Sequence, residues 1–261
     1  MYYSNGLEYL VAGSYSNKSY SKINYFSKDL DDNYGFRIEN SITPERQYFG
    51  NPTKSAIYKN QQYHEPAYLV NHSFSPNIFL NPSRLKSRFA VDNNEVKSFA
   101  REIFELMMNK ELPSSISINV LPFDEFKALH LSFGPWSNGI LGFSLNGNRK
   151  QVFVRENHLD ALLVIMGHEI GHVLTETLPN KHDEEAKAFA FSIEWAKTIK
   201  KHDVANLGLS IKDEIDFQPA KNGLHDIAFA FVDFLVKKGR NAIDLHDDLV
   251  KKYVSVFGRV Y

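Results

Sequence analysis

Apolar and polar positions recur along this chain in two periods, and the switches between them outline its elements. From Asn93 to Asn109, apolar side chains fall at Val96, Phe99, Ile103, Phe104, Leu106 and Met107, the spacing of an amphipathic helix. Ser114 to Leu121 alternates Ile116, Ile118 and Val120, which predicts a strand. PFDEFKALHL, starting at Pro122, reads as a short helix capped near Pro122 and Asp124. Two more strands are predicted over 139–145 and 151–155, joined by the turn-forming run from Asn146 to Lys150. The run LDALLVIMGHEIGHVL, from Leu159 to Leu174, is apolar nearly all round, so its helix belongs in the interior. A long helix is predicted over 180–203. Asn180 or Asp183 can cap it, and Lys197, Lys200, Lys201 and His202 load its C-terminal end. Helices over 226–238 and 243–258 complete an α+β pattern and are expected to form a lower half beneath the buried helix.

That buried helix carries His168-Glu169-Ile170-Gly171-His172, an HExxH motif. Two histidines four apart on a helix point the same way, one turn above the other, and can grip one metal ion. Glu169 is close enough to hold a water and take its proton, which makes it the candidate general base of a metal-dependent peptidase. The plainer alternative is a helix with two surface histidines, and the apolar surroundings oppose it. Burying three polar side chains without partners costs several kcal/mol. Gly167 and Gly171 each weaken the helix by about 1 kcal/mol relative to Ala. They make sense where a metal, a substrate or another helix meets the backbone.

A catalytic zinc usually takes three protein ligands. On the helix that follows, Phe189, Ile193, Ala196 and Ile199 fall within about 80° of Glu185, which centres that carboxylate on the apolar face. Glu184 stands at the side of the same arc and is the alternative, as is a residue outside this segment. The carboxylate that is not a ligand has an ordinary role as a first-turn acid facing the helix dipole. Imidazole and carboxylate donors favour zinc, though such sites accept several metals.

HEIGH followed by EEAKAFAF resembles the gluzincins, whose third zinc ligand is a glutamate on the next helix. The sequence around Glu185 is similar to two compact branches, the minigluzincins and the metallopeptidases that cleave phage-type repressors. The resemblance runs from about Leu85 to Lys201. It implies a zincin-like fold, with a small twisted sheet beside the active-site helix and a helical C-terminal half. It also implies zinc on His168, His172 and Glu185, with Glu169 as base. The edge strand of such a sheet borders the cleft and pairs with extended substrate. Residues 136–145 are the candidate, with Trp136 at a cleft end or, alternatively, in ordinary core. Related zincins carry a downstream His, Tyr or Arg that stabilises the oxyanion, and His225 is the candidate here, against a capping or surface histidine. His158 reads as a cap-region residue. Lys187 departs from the Asn or Asp these families often carry, so the motif leaves the partner behind one zinc histidine unidentified. The expected function is a zinc endopeptidase acting on peptide or protein substrates. The alternatives are a metal-stabilised sensing or binding module, and a zymogen blocked by its N-terminal segment.

Composition narrows the partners. Net charge is −1 over 261 residues, and the Lys237, Lys238, Arg240 cluster is answered by Asp244, Asp247 and Asp248. No nucleic-acid or acidic-membrane partner is expected from that balance. The chain has no cysteine, which excludes disulfides and thiolate ligands. The first residues lack a signal-peptide pattern and no membrane span is predicted, so a cytoplasmic location is the expectation. Residues 1–90 are rich in Tyr, Asn and Ser, are punctuated by prolines, and offer only short strand candidates such as Tyr68-Leu69-Val70. They are expected to be an extension, a pro-segment or a partner-binding region, and residues 91–261 the zincin-like domain.

Overall fold

Asp92 opens the first helix, α1 (Asn93–Met108), by accepting from the backbone amides of Asn94 and Glu95. The helix buries Val96, Ala100, Ile103 and Phe104, and Asn109 ends it in the left-handed region. Leu106, an expected core position, is instead exposed. The computed structural model describes residues 74–90, 92–215 and 223–258, so the strand candidate at Tyr68–Val70 lies outside the described residues. The described chain is α+β.

Three strands form the main sheet in the order β2 (Ile116–Leu121), β4 (Lys150–Arg155), β3 (Gly142–Asn146). β2 runs parallel to β4, with Ile118 opposite Val152, and β3 runs antiparallel to it, with Phe143 opposite Phe153. The expected strand over 139–145 therefore starts later, at Gly142. Period-2 alternation then sorts the two faces. Phe143 stacks on Phe153 with ring centroids 4.9 Å apart, and both join Phe126 of α2 (Phe123–Leu131) and Ile140 in a small cluster. Trp136 packs edge-on against Phe123, Phe126 and His130 and belongs to this cluster. A second pairing joins β1 (Phe89–Ala90) to β5 (Asn157–His158).

On the other face of the sheet lies α3 (Leu159–Val173), all of whose residues are buried. α4 (Lys181–His202) packs along it, and α5 (His225–Lys237) and α6 (Ala242–Val250) pack on α4. Asn180 caps α4, its side chain accepting from the His182 amide. Both glycines of α3 serve helix contact. A β-carbon at Gly167 would lie 2.4 Å from Trp195 Cδ1, and one at Gly171 would lie 3.0 Å from Ala188 Cα. The last helix is shorter than its apolar pattern predicts. It stops at Val250, Lys252 turns at φ 60°, and the Asp183 carboxylate accepts from Ser255 Oγ and the Val256 amide. Residues 74–90 pack on the same core. Phe79 and Leu80 are fully buried, and Arg84 Nε donates to Asp160 in the first turn of α3 at 2.6 Å. Among the described residues, no helix is long and apolar enough to cross a membrane.

Candidate metal centre

The four-residue spacing on α3 brings His168 and His172 together as expected, with Nε2 atoms 3.3 Å apart and rings perpendicular. Glu185 reaches them from the buried face of α4. Its Oε2 lies 3.5 Å from His168 Nε2 and 3.8 Å from His172 Nε2. His225, the first residue of α5, places Nε2 3.3 Å from the same oxygen. One donor atom each from His168, Glu185 and His225 fall within 4.8 Å of one another. All four side chains are buried, none more than 3% exposed. Ligands about 2.0–2.2 Å from a tetrahedral cation stand about 3.3–3.6 Å from one another. The nitrogen and carboxylate donors fit a cation of that kind, as do the His168–His172, His168–Glu185 and His225–Glu185 spacings.

The far nitrogens of the two motif histidines are held from behind. His172 Nδ1 donates to Glu184 Oε1 at 2.8 Å, and His168 Nδ1 lies 3.3 Å from Ser192 Oγ, which itself donates to the Ala188 carbonyl. Such bonds keep the proton on Nδ1 and leave the Nε2 lone pair facing the centre. Glu184 is itself clamped, since Oε2 accepts from the Leu178 amide at 2.7 Å and lies 2.9 Å from Lys187 Nζ. Burial alone would raise the Glu184 carboxyl, but the His172 bond, Lys187 and the Leu178 amide outweigh it and hold it low. Burial depresses both the Lys187 ammonium and the His168 imidazole. Lys187 also donates to the His172 and Glu176 carbonyls, at the C-terminal end of α3 where cations and donors are favoured. Asn146, at the end of β3, donates to the His172 and Thr175 carbonyls and ties the sheet to the same helix end.

Glu169 lies toward the sheet. It is fully buried, and among the described residues neither carboxylate oxygen has a hydrogen-bond partner. The edge strand β3 makes room for it at Gly142, where a β-carbon would stand 3.0 Å from Glu169 Oε1 and 2.7 Å from Ile165 Cγ2. The Phe74 ring stacks on His168, with centroids 4.2 Å apart and planes 16° apart.

His168, His172, Glu185 and His225 thus converge, with Glu169 one residue along α3 and Glu184 behind His172. Trp136 belongs to the small aromatic cluster. His158 takes the N-cap position of α3, but its side chain makes no cap bond, and Nδ1 contacts the Ser87 carbonyl at 2.5 Å. Sequence reasoning missed Ser192, Gly142, Asn146 and Phe74. Ser192 alone left a signal, standing seven residues past Glu185 and so on the same helix face. The other three depend on sheet register or on a contact between segments far apart in the chain. Compared with protein-family models, curated proteins and solved structures, the chain has no match.

Proposed function

We propose that the protein is a zinc-dependent endopeptidase of the gluzincin type, with a zincin-like arrangement of sheet and helices. The observation that carries this is Glu169, a fully buried carboxylate with no hydrogen-bond partner among the described residues, next in the chain to His168, whose imidazole faces Glu185 as does that of His225. Burying an unpartnered carboxylate costs several kcal/mol, so a buried acid held this way points to use. His168, His172 and Glu185 would hold the cation. When bound, it supplies a Lewis acid that polarises a carbonyl and acidifies water.

The remaining chemistry belongs to the chain. Glu169 takes the proton of the attacking water and delivers it to the leaving amine. Ser192 and Glu184 hold the two imidazoles in one tautomer. The open edge of β3 offers backbone groups to an extended peptide, whose cleaved bond would pass Gly142 and so face Glu169.

Glu169→Gln tests the proposal. It should keep one zinc per chain and lower peptide hydrolysis by about 10²- to 10⁴-fold, the range that general-base catalysis supplies. Hydrolysis that survives the substitution sinks the assignment. A second reading, a metal-stabilised binding module, draws on the burial of every centre residue and on Phe74 stacked over His168. Zinc-loaded wild type and His225→Ala that both cleave no peptide would favour it.

A further inference from the structure

We propose that His225 is a fourth protein ligand, closing the resting metal centre at the position a catalytic site keeps open. The inference rests on the proposed metal centre and extends it to a residue that the gluzincin resemblance would make an oxyanion donor. Three imidazole Nε2 atoms surround Glu185 Oε2, from His225 at 3.3 Å, His168 at 3.5 Å and His172 at 3.8 Å. The approaches at 3.5 and 3.8 Å are too long for good hydrogen bonds and lie near the spacing of ligands that share one cation. His168, Glu185 and His225 are the group whose donor atoms all lie within 4.8 Å of one another, a set one cation can share, and His172 adjoins it through His168 Nε2 at 3.3 Å.

His225 is also held in place. Two residues earlier, the Gly223 carbonyl lies 3.1 Å from His182 Nε2 in the first turn of α4. Phe189 of α4 meets the His225 ring edge-on, and Phe229, one turn further along α5, packs edge-on against Phe189. The helix that supplies Glu185 therefore fixes the approach of α5. With His225 only 2% exposed, its nitrogen is directed at the centre and not at solvent. Closed four-ligand zinc sites are structural, whereas catalytic sites keep a water position. Hydrolysis at this centre then requires water or substrate to displace His225, which makes the resting protein latent through its own α5.

X-ray absorption and chelator competition on the full zinc-loaded chain test this, with His225→Gln and His225→Ala alongside. The expected wild-type shell is three imidazoles and one carboxylate. Each variant should lose one imidazole and weaken zinc binding by more than the roughly 10- to 100-fold that an outer-shell partner commands. Two imidazoles in wild type, with unchanged zinc affinity in the variants, overturn the inference and leave the metal centre standing. A lower kcat at unchanged affinity and imidazole count would make His225 an oxyanion donor and overturn it equally. Wild type that takes up no zinc overturns the metal centre itself and this inference with it. If neither variant folds, the wild-type count decides alone, three imidazoles in favour and two against.

Discussion

Glu184 and Glu185 are neighbours in the chain but point about 100° apart around α4, and that rotation separates their roles. Glu185 faces the imidazole nitrogens, while Glu184 stands behind His172 with Lys187 as its counterion. Glu184→Gln should therefore weaken zinc binding by about 10- to 100-fold without abolishing it, as outer-shell partners do. Competition with a chelator measures this, and loss of zinc as complete as in His168→Ala would make Glu184 a ligand. The helical wheel placed Glu185 on the apolar face of α4, and the carboxylate is fully buried there. Lys187 was opaque for the opposite reason. Its meaning lies in where α3 ends, since its ammonium serves the His172 and Glu176 carbonyls as well as Glu184. Lys187 thus has a place in the site, because it neutralises the acid that holds His172.

At the scale of elements, the centre depends on how closely α3 and α4 approach. Gly167 lets the Trp195 indole lie against the α3 backbone, where its Nε1 donates to the Leu163 carbonyl at 2.9 Å. Gly167→Ala would ordinarily favour a helix by about 1 kcal/mol. Here the added methyl meets the indole at 2.4 Å, so a net loss of about 1–3 kcal/mol is expected from overpacking. Urea denaturation measures it, and a gain in stability would mean that the two helices separate without penalty. Apolar periodicity revealed α1, α3 and α4 because each buries a continuous face. It overran α6 because Val254, Val256 and Phe257 continue the apolar pattern while Asp183 captures the chain at Ser255 and Val256. It also missed Gly142, whose importance comes from β3 lying over Glu169, a matter of register that no local pattern encodes.

Across the described body, stability and the centre share one interior. His246 of α6 is 1% exposed against Phe191 of α4, and its Nε2 has no partner among the described residues. Burial holds its imidazole below the ordinary value; Asp247 and Glu184 oppose the shift, and Lys187 adds to it. The unfolded chain takes up that proton near pH 6.5, about the ordinary histidine value, before the folded chain does. Stability is therefore retained above about pH 6.5 and lost as pH falls below it. His168, depressed in the same direction, adds to this slope in the metal-free chain. His246→Gln should flatten the slope between about pH 7 and 5 in denaturant midpoints. Parallel losses in variant and wild type would remove His246 from the account. The two tryptophans divide this body optically. Trp195 is sealed between α3 and α4 beside the HExxH turn, while Trp136 stands half-buried in the aromatic cluster on the far face of the sheet. With Trp136 replaced by Phe, the remaining indole emission becomes a built-in gauge of the α3–α4 contact, readable without a label as the centre is loaded or stripped.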